Sequence, residues 1–187
     1  MDPLKFIWTD QVKSVFKNFT LWISENENCE WDLDKGVILS GPNGSGKTLM
    51  MSYFSNLSKY FYDHGHRRRI HFLECRDIMT EAENGLKDFS KYYNRAEYSS
   101  VCINEFGEEG YINDFGTKRY PIEQILTQRL ERGLMVFGTT NLDLGDKEDS
   151  DIKTKYGSRL FSKLHETNYI DLVPIVDNKV VDFRIRQ

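Results

Sequence analysis

The chain has 187 residues, with 25 Lys and Arg against 29 Asp and Glu for a formal net charge of −4. That length suits one α/β domain with a real core and is too short for two full-sized ones, while the acidic balance argues against a uniformly basic nucleic-acid binder and confines any polyanion contact to a local patch. Cys29, Cys75 and Cys102 contain no Cys-x-x-Cys pair, which supports neither a disulfide framework nor a zinc knuckle and predicts a reducing compartment.

Met1 to Asp10 lacks a basic start followed by an apolar stretch, and no run approaches the ~18 apolar residues of a membrane span. A soluble, cytoplasmic protein without a membrane partner is expected. From residue 9 to 24, Val12, Val15, Phe16, Phe19, Leu21 and Ile23 predict a short amphipathic helix followed by a less regular segment, and Asn26 to Asp34 is polar and turn-like. Residues 1–35 therefore read as a short helical N-terminal extension, and residues 36–187 as the core domain.

Within that core the apolar runs come in strand-sized packets: Val37 to Leu39, Ile70 to Leu73, Val101 to Ile103, Leu134 to Phe137, and Tyr169 to Val173. Between them lie helical patterns. Met50, Tyr53, Phe54, Leu57 and Phe61 recur at three- and four-residue spacing, and Ile122, Ile125, Leu126 and Leu130 follow Pro121, with Gly133 placed to stop the helix. Strands alternating with helices predict an α/β fold: a five-stranded, mostly parallel sheet with helices on both faces.

After the first packet the chain reads Gly41-Pro42-Asn43-Gly44-Ser45-Gly46-Lys47-Thr48. A triphosphate needs several donors converging from a backbone that can approach closely. Here the glycines relieve side-chain sterics, and the amides ahead of a helix starting near Lys47 point at the anion. In such a P-loop, Lys47 reaches the β- and γ-phosphates and the Thr48 hydroxyl ligates Mg²⁺. All fixed positions of the motif match, in the strand-loop-helix context it requires.

P-loop enzymes commonly carry an apolar strand that ends in an acid holding Mg²⁺ through water, often followed by a second acid that polarises the attacking water. Val101-Cys102-Ile103-Asn104-Glu105 has this shape with Asn104 at the first acidic position. An amide oxygen can accept from a metal-bound water but carries no charge, so weaker Mg²⁺ affinity is expected. Glu105 is the candidate general base.

Two later stretches narrow the class: Leu134 to Asn141, ending Thr139-Thr140-Asn141, and Tyr156-Gly157-Ser158-Arg159-Leu160-Phe161-Ser162-Lys163-Leu164. With the P-loop, Asn104-Glu105-Phe106-Gly107 and Gln128-Arg129-Leu130-Glu131-Arg132-Gly133, they resemble the AAA+ core of DnaC-type helicase loaders and the related IstB transposition ATPases, from about Gly36 onward. The resemblance implies an AAA+ core without a sizeable C-terminal lid domain, using ATP/ADP and Mg²⁺. Asn141 matches the sensor-1 residue beside the γ-phosphate. Arg159 matches the arginine finger that enters a neighbouring subunit's ATP site, so hydrolysis would require self-association. Arg184, in Val181-Asp182-Phe183-Arg184, is the candidate sensor-2 residue. A replicative helicase or transposase is the implied protein partner.

Initiator-like members of the family place a DNA-contacting helix between the second and third strands. The corresponding Arg76 to Ser100 carries Lys87, Lys91, Arg95, Phe89, Tyr92, Tyr93 and Tyr98, the mixture used for single-stranded DNA, but also Asp77, Glu81, Glu83, Asp88 and Glu97. DNA contact and a plain solvated helix both remain open there. His64-Gly65-His66-Arg67-Arg68-Arg69 reads as an exposed basic connection. The absence of a Leu-Ser-Gly-Gly-Gln-like stretch argues against an ABC ATPase, and the absence of an arginine-rich lid against a small-molecule kinase. Two behaviours stand: an ATPase with weak intrinsic turnover, and a nucleotide-dependent binding switch in which Asn104 suppresses hydrolysis.

Overall fold

Three segments of the chain are buried along nearly their whole length: Val37–Ser40 (β1), Ser100–Asn104 (β3) and Met135–Thr140 (β6). Such strands must be covered on both faces. The computed structural model describes residues 9–94, 99–143 and 151–171, with the short strands 175–176 and 179–180. In it the three buried strands join Ile70–Glu74 (β2) and Asn168–Asp171 (β7) in one sheet of order β2-β3-β6-β1-β7. All four pairings are parallel, with Glu74 opposite Asn104 and Ser40 opposite Thr140. The carboxyl ends of β2, β3, β6 and β1 therefore form one row.

Successive residues of a strand face opposite sides, and here they feed two separate apolar layers. Val37, Leu39, Cys102 and Phe137 join Phe19, Trp22, Met50 and Phe54 on one side; Ile38, Val101, Ile103 and Val136 join Ile78, Ile122, Leu126 and Leu160 on the other. The first layer is supplied by helices Asp10–Ile23 (α1) and Lys47–Asp63 (α2), the second by Cys75–Glu83 (α3), Pro121–Glu131 (α4) and Asp151–Leu164 (α5). The predicted five strands and two-sided cover are present.

Helix α1 starts where Thr9 caps the Val12 amide at 3.2 Å and continues through Ile23 as regular helix. The less regular segment expected at its end is absent, because Phe19, Trp22 and Ile23 all bury on the same face. Phe19 stacks on Phe54 with ring centroids 3.6 Å apart, and Trp22 meets Phe137 edge-on at 5.0 Å. Arg68 then braces the return of the chain: its guanidinium lies 4.2 Å from the Trp22 ring centroid, donates to the Leu33 carbonyl at 2.7 Å and pairs with Glu25 at 3.2 Å. One arginine of the basic connection is thus a structural cation rather than a solvated one.

Apart from β3, sequence periodicity did not resolve the stretch between β2 and α4. It contains α3, a 3-10 turn at Ser90–Tyr93, and the hairpin Ile112–Asp114 (β4) with Thr117–Arg119 (β5). Phe89 and Tyr92, read as candidate stacking surface, are buried in the core, and the Tyr92 hydroxyl and the Lys91 ammonium both meet the Glu81 carboxylate, at 2.6 and 2.7 Å. Those two rings are inaccessible to a base; Arg95 and Tyr98 lie outside the described residues.

Arg129 holds this region to the sheet. It is fully buried, and its guanidinium donates to the carbonyls of Tyr92 at 2.7 Å, Ser99 at 3.0 Å and Met135 at 2.8 Å. Burial pulls its pKa down to about 10, which leaves it charged at neutral pH. Arg129→Met, which keeps much of the volume but removes the donors to the buried Tyr92 carbonyl and to those of Met135 and Ser99, should destabilise the protein by roughly 2–3 kcal/mol, read as a lower denaturant midpoint; a loss under ~1 kcal/mol would contradict this account.

Candidate functional site

The row of strand ends meets the amino end of α2 where β1 runs into the glycine-rich loop. Gly44 and Gly46 hold φ of 84° and 85°, a left-handed backbone that only glycine adopts at little cost. Gly46 occupies the N-cap position of α2 and supplies no side-chain cap. The first-turn amides of that helix are thus presented to an anion rather than to a capping oxygen.

Lys47, almost fully buried, folds back over the loop. Its ammonium donates to the carbonyls of Gly41 and Pro42 at 2.7 and 2.9 Å, and to the Asn141 side-chain oxygen at 2.8 Å. Asn141 follows β6, the neighbour of β1, so 94 residues of sequence separation close into direct contact. Its amide nitrogen donates to Asn43 at 3.0 Å and to the Glu108 carboxylate. The Thr48 hydroxyl faces the Glu105 carboxylate at 3.4 Å. The predicted residues Gly41 to Thr48, Glu105 and Asn141 are brought together at one end of the sheet.

Glu105 sits there at φ 58°, a left-handed conformation uncommon for a non-glycine residue. Two bonds from one residue impose it: the Glu105 amide donates to the Thr139 hydroxyl at 2.8 Å, and the Phe106 amide donates to the Thr139 carbonyl at 3.0 Å. The turn carries the Glu105 side chain off the end of β3 toward Thr48. Backbone strain of this kind, of order 1–3 kcal/mol, persists where the surroundings over-determine it.

Asn104 is engaged elsewhere. Its side-chain oxygen accepts from the Thr139 hydroxyl at 2.7 Å and its amide donates to the Glu74 carboxylate at 2.9 Å, with the residue only 2% exposed. The oxygen expected to face a metal-bound water is therefore used to join β3 to β6. Thr48 and Glu105 are the oxygen donors that could lie beside a cation bound with phosphates, and the loop and Lys47 fit the phosphates themselves.

Arg159 stands apart from this cluster. Its side chain is 80% exposed and pairs with Glu131 of α4. Tyr156 and Gly157 come shortly before it, and α5 breaks its helical path at Gly157, φ 79°. Arg184 lies outside the described residues. The sequence reading missed Thr139 as the bridge, Glu74 as the partner of Asn104, and Glu108 and Glu109 as members of the acid turn. Only the local run Glu105-Phe106-Gly107-Glu108-Glu109 carried a signal for the last two.

No helix among the described residues is long and apolar enough to cross a membrane. No family model matches the sequence, and no curated protein matches it. Solved structures do match the fold. A DnaC helicase loader superposes with a TM-score of 0.65 at 19% identity, over 91% of this chain and 94% of that one. DnaI superposes with a TM-score of 0.60 at 16% identity, over 94% of this chain and 88% of that one. AMPPCP-bound DnaA from Aquifex aeolicus follows at 0.59 and 10% identity, over 92% of this chain but 50% of that one. The chain shares its fold with the DnaC helicase loader, with DnaI and with DnaA.

Proposed function

We propose that this chain is an AAA+ nucleotide-binding protein of the helicase-loader type, which binds ATP with Mg²⁺ and hydrolyses it in a self-assembled form to act on a partner in DNA replication or transposition. The contact between Lys47 and Asn141 carries the reading, since it joins the phosphate loop to the polar residue expected beside a γ-phosphate. The position of Glu105 against Thr48 supports it as the group that orients or deprotonates the attacking water. The fold shared with DnaC and with DnaA bound to AMPPCP agrees.

In this reading the backbone amides of Gly41 to Gly46 and the Lys47 ammonium hold the phosphates, and Thr48 ligates Mg²⁺, which neutralises charge developing on the transferred group. Asn104 leaves the metal's surroundings one charge short. Arg159 completes a neighbour's site, and its exposure on α5 leaves it accessible to one; Arg184 would touch the nucleotide of its own subunit. The helicase or transposase partner, and any single-stranded DNA, follow from the resemblance.

A second reading is favoured by the engagement of Asn104. With its oxygen held by Thr139, the site resembles a switch that binds ATP and turns it over slowly. Restoring an acid would not simply repair it, because Asn104→Asp places a carboxylate against Glu74 in a poorly solvated site.

Lys47→Ala should weaken ATP binding at least ~10-fold by calorimetry, the worth of a lost charge-assisted contact; unchanged affinity would remove the P-loop assignment. Arg159→Ala should leave ATP affinity intact while lowering the concentration-dependent part of turnover ~10³-fold, and turnover insensitive both to that change and to protein concentration would sink the finger. Asn104→Asp should acquire a carboxyl whose folded pKa is raised by Glu74. Stability is then greatest below the pKa that this carboxyl has in the unfolded chain. It declines as pH rises from there to the raised folded value, and each tenfold loss of acidity on folding costs about 1.4 kcal/mol. Denaturant melts at pH 5 and pH 8 read this slope, which Glu74→Gln should abolish; a slope equal to that of the unsubstituted protein would contradict the contact.

A further inference from the structure

Glu109 closes the turn that begins at Glu105, and it collects donors from three elements. One carboxylate oxygen accepts from the Gly107 amide at 2.5 Å and lies 3.8 Å from the Cys75 thiol at the start of α3. The other accepts from the Tyr156 hydroxyl of α5. Its main-chain carbonyl accepts from the Lys155 ammonium. Burial and the adjacent Glu109 carboxylate push both the Tyr156 hydroxyl and the Cys75 thiol strongly upward in pKa, so each stays protonated as a donor.

The neighbours of this junction give it direction. On one side, Glu108 accepts from Asn141, which holds Lys47, and Glu105 faces Thr48. On the other, Tyr156 is the last residue before the break at Gly157, and Arg159 rides on the segment beyond that break. The path from phosphate loop to Arg159 is a chain of hydrogen bonds joined by two short covalent stretches, Glu108 to Glu109 and Tyr156 to Arg159.

We propose that Glu109 is a positioning residue that couples the two sites: by clamping the acid turn to Tyr156, it transmits the state of the nucleotide pocket to the segment of α5 that carries Arg159. The coupling rests on the nucleotide-binding reading above, and it deepens that reading by assigning the link between the pocket and the subunit interface. Entry of a phosphate beside Lys47 competes with the Asn141 side chain for the ammonium. A displaced Asn141 pulls on Glu108, and a turn clamped at Gly107 and Tyr156 passes that motion to α5. Without the Glu109 bond the turn can relax alone.

The test is hydrogen exchange of the full chain with and without the non-hydrolysable analogue AMPPCP and Mg²⁺, which reads the coupling whether or not the protein hydrolyses ATP. In the unsubstituted protein, amides of residues 158–163 should change exchange rate at least ~5-fold on AMPPCP binding. In Tyr156→Phe, which keeps the buried ring and removes only the hydroxyl, and in Glu109→Gln, AMPPCP affinity should stay within ~2-fold while the change at 158–163 disappears. The double variant should show no further loss, because both substitutions cut the same link. A retained response in Tyr156→Phe, or no response in the unsubstituted protein despite measured AMPPCP binding, overturns the coupling and leaves the nucleotide-binding reading standing. Absence of AMPPCP binding to the unsubstituted protein overturns both.

Discussion

The hydroxyl of Thr139 is the small group on which the candidate site at the carboxyl ends of the strands depends. It accepts from the Glu105 amide and donates to Asn104, which in turn donates to Glu74. One oxygen thereby ties the carboxyl ends of β6, β3 and β2 into a fixed row. Each such bond is worth only about 1 kcal/mol net, but leaving any of these buried groups unpaired would cost more. The row also holds Glu105 in its left-handed turn, so the strain at that residue is balanced by bonds made one strand away.

The long-range contact that Lys47 makes, to Asn141, follows from the order of those strands. β1 lies next to β6 in the sheet although they are distant in sequence, and the residue after β6 therefore lands over the glycine-rich loop. Ligands of open α/β sheets bind outside the carboxyl ends of the strands, where successive strands leave in opposite directions. Here β1 sits between β6 and β7, and the chain leaving it crosses to β2 at the far edge.

The two faces of the sheet have different work. The α1/α2 layer is built from stacked aromatics, with Trp22 and Phe19 buried and Arg68 laid over the indole, and it fixes the entry to β1 from behind. The opposite layer carries α3, α4 and α5, where polar groups penetrate the core: Arg129 bonded to three carbonyls, and Glu109 bonded to Tyr156. Polar junctions inside an apolar layer have few satisfied arrangements, which makes that face the one suited to discrete changes of position.

Much of this was legible in the sequence for definite reasons. Continuous apolar packets bounded by turn residues fit strands covered on both sides, and Gly41 to Thr48 encodes its own backbone conformation, so β1, the loop and α2 were determined locally. The resemblance put Asn141 beside the γ-phosphate, while its contact with Lys47 was decided by strand order, which no local pattern specifies. Tertiary structure alone assigned Phe89 and Tyr92 to the core, Arg68 to Trp22, and Glu109 to Tyr156, because a charged or aromatic side chain has the same sequence signature whether it faces solvent or a partner. It also decided the fate of Asn104: the sequence could show that an acid was missing, while only the packing of three strand ends shows that the amide's oxygen and nitrogen are both needed where they are.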